Sequence, residues 1–200
     1  MCKLFFFAFV TVAAAASVIH DGTCPDIKPV ENFNVSAYQG VWYEISKYDT
    51  ANEQGGKCAQ AEYKLEGDVV KLKNTHIVNG VQTSIEGTAK LADDAKNSAK
   101  LLVTLNFGEF SRETPLQVVA TDYKSYAIAY NCKNDDNKKN HQDTLWVLSR
   151  TKTLEGDAKT AVDTFFKNNK DLDATKLVQT DFSEEACKFT STAVVTEHKD

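Results

Sequence analysis

The sequence predicts an all-β fold in which about eight antiparallel strands are followed by one α-helix. Apolar and polar residues alternate with a period of two in a succession of short runs between residues 42 and 149. Turn-forming or charged stretches separate these runs at the spacing of a meander. One stretch, beginning near Leu154, has the period of a helix instead. Strands in this number form a two-layer sandwich or a closed barrel, and the alternation alone leaves both open.

The first sixteen residues, MCKLFFFAFVTVAAAA, have the pattern of a secretory signal peptide: a lysine, an apolar run and a series of small residues. We expect cleavage near Ala16 and therefore a secreted, extracellular protein. The apolar run is too short to cross a bilayer, and no later stretch is long enough, so no membrane span is expected. Residues 17–200 are expected to form a single domain.

The first predicted strand lies in YQGVWYEISKY, residues 38 to 48, where Gly40 stands two positions before Trp42. A glycine allows the backbone to enter the strand tightly, and a tryptophan at this point can fill one end of a hollow interior. Just upstream, residues 34–36 (Asn-Val-Ser) form a sequon for N-glycosylation. The alternative is that Asn34 caps a short helical turn before Gly40.

The following strands are predicted from runs that end at glycines or in charged loops. DVVKLKNTHIVNG alternates with a period of two and ends at the turn Asn79-Gly80. One face of this run carries Val70, Leu72, Asn74 and His76. VQTSIEGTAKL then turns the chain back, and the alternation in AKLLVTLNFGEF breaks at Gly108. The runs PLQVVATD, SYAIAYNC and TLWVLSR complete the meander.

The stretch EGDAKTAVDTFFKNNK, which follows Leu154, is predicted to be a helix packed on the outside of the sheet. Its apolar residues form one stripe, composed of Ala158, Ala161, Val162, Phe165 and Phe166. Acidic residues near its start and lysines near its end match the helix dipole. The tail after about residue 189 is expected to be disordered.

Composition and motifs exclude several classes of function. The formal net charge is -5, and no basic stripe is present that could neutralise phosphates, so no nucleic-acid partner is expected. The chain contains no G-x-S-x-G, no H-E-x-x-H and no nucleotide-binding loop, so it is not expected to be an enzyme. The sequence leaves open both a monomer and a homo-oligomer.

Four cysteines remain when Cys2 leaves with the signal peptide. Widely spaced cysteines in an oxidising compartment predict two disulfides, although three pairings are possible. The close C-x-x-C pairs that are typical of zinc sites are absent, so no metal site is expected. Two disulfides would also leave no thiol that could act as a nucleophile.

Three ordered stretches resemble the signatures of the lipocalin family. NFNVSAYQGVWYEISKY resembles the first signature, which is built around G-x-W at Gly40 and Trp42. ATDYKSYAIAYNC resembles the second through Thr121-Asp122-Tyr123, and WVLSR has Arg150 where the third signature has a basic residue. The similarity is closer still to the insect bilin-binding lipocalins, through CPDIKPVENF, GKCAQAEY, the run at residues 141–143 and DFSEEACK.

The resemblance implies an eight-stranded antiparallel up-and-down barrel with the C-terminal α-helix packed outside. It implies that Trp42 lies at the closed end of this barrel and that Arg150 packs over it, in a cation-π arrangement of about 1 kcal/mol. It also implies which cysteines pair. The expected disulfides are Cys24 with Cys132 and Cys58 with Cys187.

The resemblance further implies a pigment pocket inside the barrel. The bilin-binding relatives have an asparagine and a histidine at the positions that match Asn74 and His76, and a largely apolar cavity with a few polar groups suits a conjugated ligand. The other predicted pocket residues are Ile85, Leu105, Phe107, Asn131 and Thr144. Asn131 and Thr144 stand where a bilin-binding relative has larger aromatic residues, so the mouth should have a different shape. His141 lies in a charged loop and is expected to be exposed.

These expectations together describe a secreted carrier that binds a bilin, biliverdin, non-covalently and serves coloration or pigment storage. Apolar burial would supply most of the affinity, and Asn74 and His76 would hydrogen-bond the pyrrole or carbonyl groups. The alternative is the same barrel with another lipophilic cargo, such as a carotenoid, a retinoid, a fatty acid or haem. Haem would require His76 to bind iron.

Overall fold

A computed structural model describes residues 18–50, 54–135 and 137–196 of the chain. The predicted signal peptide, residues 1–16, lies outside the described residues. The elements in chain order are β1 (Val18–Asp21), α1 (Val35–Tyr38), β2 (Gly40–Tyr48), β3 (Lys57–Glu66), β4 (Val69–Val78), β5 (Val81–Leu91), β6 (Lys100–Phe107), β7 (Phe110–Thr121), β8 (Tyr126–Asp135), β9 (Asn140–Ser149), α2 (Gly156–Asn168), a 3-10 helix (Ala174–Lys176), β10 (Leu177–Gln179) and β11 (Ser191–Val194).

The strands β2 to β9 form a closed barrel. Each of these strands pairs antiparallel with the next one along the chain, and β9 also pairs with β2. The closing seam joins Tyr43 to Ser149 and Lys47 to Trp146. Closure pairs the first strand of the barrel with the last, whereas the two sheets of a sandwich would keep their outer strands unpaired. The predicted eight-stranded up-and-down barrel is therefore confirmed, and the sandwich is excluded.

Three short strands extend the sheet beyond the barrel. β1 pairs with β9, β10 pairs with β2, and β11 runs parallel to β5. The prediction of a disordered tail after about residue 189 is wrong for Ser191–Val194. These residues become β11 because β5 pairs with β6 only from Gly87 onward, which leaves the edge at residues 81–84 open to another strand.

Helix α2 packs on the outside of the barrel, as the apolar stripe predicts. Val162 is buried, and Phe165 and Phe166 are partly buried against the same outer core. That core is completed by barrel residues that point outward, among them Tyr48, Ile128, Leu145 and Val147. Among the described residues, neither α-helix has the length and apolar character that a bilayer crossing requires.

Both predicted disulfides are confirmed. Cys24, which follows β1, is bonded to Cys132 on β8. Cys58 on β3 is bonded to Cys187, which lies between β10 and β11. One bridge therefore attaches the N-terminal arm to the barrel, and the other attaches the C-terminal segment.

Gly87 allows β5 and β6 to approach closely, so we expect Gly87→Ala to lower the free energy of unfolding. A Cβ atom at this position would stand 2.1 Å from the Thr104 carbonyl oxygen, which belongs to the backbone and cannot rotate away. Overpacking of this kind costs about 1 to 3 kcal/mol, and a backbone clash belongs at the upper end. Urea unfolding followed by circular dichroism measures the change.

The matched control is Ser84→Ala on the same strand, where a Cβ atom is already present. We expect this change to remain within about 0.5 kcal/mol of the wild type. Equal stability of Gly87→Ala and Ser84→Ala would contradict the close approach of the two strands.

Candidate functional site

One end of the barrel is closed by Trp42, whose side chain is fully buried. The Arg150 guanidinium carbon lies 3.6 Å from the centroid of the Trp42 ring, which confirms the predicted cation-π contact. The indole Nε1 donates a hydrogen bond of 2.8 Å to the carbonyl oxygen of Tyr38. Arg150 also donates to the carbonyl oxygens of Val41, at 2.9 Å, and of Tyr123, at 3.2 Å. The closed end is thus a packed and hydrogen-bonded floor.

The other signature residues build the loops around this floor. Gly40 has a φ of +95°, and a Cβ atom there would lie 3.3 Å from Arg150 Nη1, so a glycine suits both the backbone and the space. Asp122 accepts hydrogen bonds from the backbone amides of residues 124 to 126. The Thr121 hydroxyl donates to the Tyr126 carbonyl and accepts from the Tyr123 amide. These residues shape the turn that brings the Tyr123 carbonyl to Arg150.

Above the floor, the barrel contains a cavity that opens at the opposite end. Its volume is about 170 Å³. The apolar part of its lining consists of Ala59, Ala61, Tyr63, Leu72, Val103, Leu105, Pro115, Leu116, Ala129, Trp146 and Leu148. Burial raises the pKa of Tyr63 to about 12. The cavity therefore offers apolar walls with a few polar groups.

The structure brings four of the seven predicted pocket residues to the lining, namely Asn74, His76, Leu105 and Asn131. Ile85 and Thr144 pair directly with Asn74 and Asn131, so they share the inner face, and Phe107 is buried two residues beyond Leu105. The cavity lining does not include these three. A role in ligand binding stays a prediction for all seven.

The side-chain oxygen Oδ1 of Asn74 is buried and has no hydrogen-bond partner. A buried carbonyl-type acceptor without a donor costs about 1 to 3 kcal/mol, so such an atom is rare unless a ligand or water completes it. Asn74 lies on β4 with the cavity in front of it. It is therefore an acceptor aimed at whatever occupies the barrel.

An ion pair in the lining was missed by sequence reasoning. Lys47 Nζ lies 3.0 Å from Glu44 Oε1, with side-chain exposures of only 6% and 11%, and both residues line the cavity. Glu44 also accepts a hydrogen bond from the Thr180 hydroxyl. Strict alternation would point residues three apart to opposite faces, but a bulge between Glu44 and Ser46 turns both inward. No residue of β2 signals this bulge in the sequence.

The prediction that His141 is exposed is wrong. Its side chain is 7% exposed because β1 pairs with this part of β9 and covers it, with His20 directly opposite His141. A charged loop was expected here, whereas β9 begins at Asn140. Only the addition of β1, which is distant in the sequence, makes the position buried.

Asn34 caps the N-terminus of α1, which is one of the two alternatives that the sequence predicts for this residue. Its Oδ1 accepts a hydrogen bond of 3.0 Å from the amide of Ala37. The residue is exposed, and this bond engages its oxygen rather than its amide nitrogen. Glycosylation of Asn34 therefore stays a prediction.

Comparisons with known proteins agree with this architecture. Residues 39–184 match the model of the lipocalin / cytosolic fatty-acid binding protein family. The chain is 48% identical over 179 residues to a bilin-binding protein from Pieris brassicae, with 90% of this chain and 94% of that protein covered. It is 43% identical over 190 residues to insecticyanin-B from Manduca sexta, with 94% and 92% covered. A solved structure of insecticyanin from Manduca sexta superposes with a TM-score of 0.86 at 40% identity, covering 92% of this chain and all of that one.

Proposed function

Because this chain belongs to the lipocalin family, we propose that it carries a bilin, held non-covalently in the barrel. The support is the similarity to a bilin-binding protein and to an insecticyanin over most of both chains, together with a cavity of matching character. We infer that the bilin is biliverdin and that the protein is a secreted pigment carrier without enzymatic activity, used in coloration or storage. Two disulfides accord with an extracellular location.

The observation that carries the proposal is the unpartnered Oδ1 of Asn74. A bilin offers pyrrole N–H groups along an otherwise apolar, conjugated skeleton, so it can supply the missing donor while its rings lie against apolar walls. His76, two residues farther along β4, lines the cavity on the same face. Asn74 and His76 can therefore bind polar groups on one edge of the pigment.

The dimensions of the cavity indicate how a bilin is held. A cavity of about 150 Å³ accommodates one benzene molecule, and the cavity here measures about 170 Å³. Four linked rings are larger than this volume, so part of the pigment has to extend out of the cavity. We expect one portion of the pigment to be deeply buried and another to be accessible from solvent.

The test is reconstitution of the pigment-free protein with biliverdin. We expect a long-wavelength absorption band that grows with added protein and saturates at one pigment per chain. An unchanged pigment spectrum at saturating protein would contradict bilin binding. A pigment that is displaced by retinol or a fatty acid at equal concentration would instead favour the alternative cargo.

Asn74→Leu is expected to weaken biliverdin binding by about 10- to 100-fold, since the ligand N–H would lose its acceptor. The same change removes a buried polar group that lacks a partner, so the pigment-free variant should be at least as stable as the wild type. Fluorescence quenching titration measures the affinity, and thermal unfolding measures the stability.

Asn106→Leu is the matched control, because Asn106 is exposed between two inward residues of β6. We expect this variant to keep its affinity. Equal affinity of the two variants would contradict a role of Asn74 in ligand binding. A loss of stability in Asn74→Leu would mean that Asn74 serves the fold.

A further inference from the structure

The ion pair of Glu44 and Lys47 puts two charges into the lining of a largely apolar cavity. Lys47 Nζ lies 3.0 Å from Glu44 Oε1, and the side chains of Lys47 and Glu44 are only 6% and 11% exposed. Burial of a charged pair is costly, and apolar residues of similar volume often give equal or greater stability in its place. The stability of the barrel therefore does not account for the pair.

The pair lies on the face of β2 that leads from the floor of the barrel towards its mouth. Glu44 is two residues beyond Trp42, and the bulge after Glu44 brings Lys47 to the same face. Trp42 pairs with Ala61 on β3, and Ala61 pairs with Asn74 on β4, so these three residues form one row across the wall. Glu44 is therefore one row nearer the mouth than Asn74, on the other side of β3.

β3 separates the pair from the polar residues Asn74 and His76 by small side chains. Ala59 and Ala61 line the cavity from this strand, so a flat ring can lie close to it. Neighbouring strands are about 4.8 Å apart, which puts β2 and β4 about 10 Å apart across β3. A ligand of several linked rings can bridge this distance, and a bilin can therefore meet both polar sets at once.

The C-terminal segment holds the pair in place. The Thr180 hydroxyl donates a hydrogen bond of 3.3 Å to Oε1 of Glu44, the same atom that Lys47 contacts. Thr180 follows β10, and its backbone amide donates to the carbonyl oxygen of Ile45 at 2.9 Å. The Glu44 carboxylate is thus held from two directions. Groups that are already ordered lose little side-chain freedom when a ligand binds.

We propose that Glu44 and Lys47 determine the specificity of the cavity: they bind an amide-type edge of the cargo and disfavour cargo that is largely apolar. This inference rests on the proposed function. Lys47 has only donors and ionised Glu44 has only acceptors, and the two groups stand side by side. A lactam has the complementary pair, a carbonyl oxygen that accepts beside an N–H that donates. The two terminal rings of a bilin are lactams.

The same pair acts against the alternative cargoes. A polyene or an alkyl chain has no hydrogen-bonding group along its length, so its entry would take water away from both charges without replacing the lost hydrogen bonds. The apolar walls alone would accept such a ligand. Specificity is a difference between two affinities, and the pair contributes to it by attraction of one cargo and exclusion of the other.

The test compares biliverdin and retinol on the wild type and on Glu44→Leu/Lys47→Met by fluorescence quenching. We expect the affinity for biliverdin to fall by about 10- to 100-fold and the affinity for retinol to rise by at least about 10-fold. The variant should fold with an equal or higher Tm, because replacement of both charges leaves neither one unpaired. A lower Tm together with weaker binding of both ligands would show a structural role and overturn the proposal.

Glu44→Gln/Lys47→Gln tests hydrogen bonding without charge. This variant keeps an acceptor and a donor side by side, so we expect biliverdin to bind within about 10-fold of the wild type. Retinol should bind less tightly to it than to Glu44→Leu/Lys47→Met. Lys64→Met/Glu66→Leu is the matched control, since it makes the same replacements in an exposed ion pair on β3. Both affinities should stay unchanged in this control.

Biliverdin dimethyl ester, which has no free carboxylate, identifies the group that the pair binds. We expect Glu44→Leu/Lys47→Met to weaken the ester as much as biliverdin. An ester that binds equally to both proteins would mean that Lys47 binds a carboxylate of the pigment, which would overturn the lactam assignment.

Two results separate this inference from the proposed function. If the wild type binds biliverdin but Glu44→Leu/Lys47→Met changes neither affinity, the inference alone is overturned. If the wild type binds no biliverdin, the proposed function is overturned and the inference with it.

Discussion

Trp42→Ala is expected to lower the free energy of unfolding by about 3 to 5 kcal/mol, the range for removal of a fully buried large aromatic side chain. Trp42 is fully buried at the closed end of the barrel. Its removal would open a void beneath the cavity and would leave the Arg150 guanidinium without the ring over which it lies at 3.6 Å. The Tyr38 carbonyl would also lose the indole N–H donor.

Trp42→Phe separates packing from hydrogen bonding. Phenylalanine keeps an aromatic ring under Arg150 but has no N–H group. We therefore expect the Trp42→Phe variant to be destabilised by about 1 to 2 kcal/mol, clearly less than the alanine variant. Unfolding in urea should be followed by circular dichroism, because Trp42 is one of only two tryptophans and its replacement changes the fluorescence. A loss below about 1 kcal/mol in Trp42→Ala would show that the floor of the barrel is loosely packed.

Arg150 is held by contacts that explain why a cation occupies this position. Its Nη2 donates to the carbonyl oxygens of Ala37 and Tyr38, both at 3.3 Å, at the C-terminal end of α1. Carbonyl groups at the end of a helix lack partners within the helix and attract a cation. The Arg150 side chain therefore stacks on Trp42 and caps the C-terminal end of α1. It also holds the turn after β7 through the Tyr123 carbonyl.

The features of the fold that depend on local sequence were predictable. Strand runs with a period of two, such as Val69–Val78, and the single apolar stripe of α2 are present as expected. Barrel closure and the two disulfides required the family resemblance, because closure depends on the pairing of β2 with β9 and the cysteines allow three pairings. The local alternation of apolar and polar residues carries no information on barrel closure or on cysteine pairing.

The features that escaped prediction all depend on contacts between distant parts of the chain. The inward ion pair of Glu44 and Lys47 depends on a bulge in the seam with β9. The burial of His141 depends on β1, and the order of Ser191–Val194 depends on the open edge of β5. A bulge or an added strand changes the face that a residue presents without changing the residues nearby, so alternation cannot reveal it.

Replacement of both Cys58 and Cys187 by serine is the second change for which we expect a large effect, about 4 to 5 kcal/mol. The bond closes a loop with a sequence separation of 129 residues, and in the chain-entropy account a loop of about 100 residues corresponds to about 4.7 kcal/mol. The bond also fixes the segment between β10 and β11, where the backbone amide of Cys58 donates to the Asp181 carbonyl. We therefore expect faster amide exchange in β10 and β11 as well as lower stability.

The Cys24→Ser/Cys132→Ser double variant is the matched control, because its bond has a similar sequence separation of 108 residues. Chain entropy predicts nearly the same loss of stability for both double variants, since the term depends only on the logarithm of loop length. The exchange pattern should differ, because Cys24 follows β1 and its release frees the N-terminal arm instead of the C-terminal segment. An equal rise of amide exchange in β10 and β11 in the two variants would mean that the Cys58–Cys187 bond does not hold the C-terminal segment specifically. Its contribution to stability would then come only from the restriction of the unfolded chain.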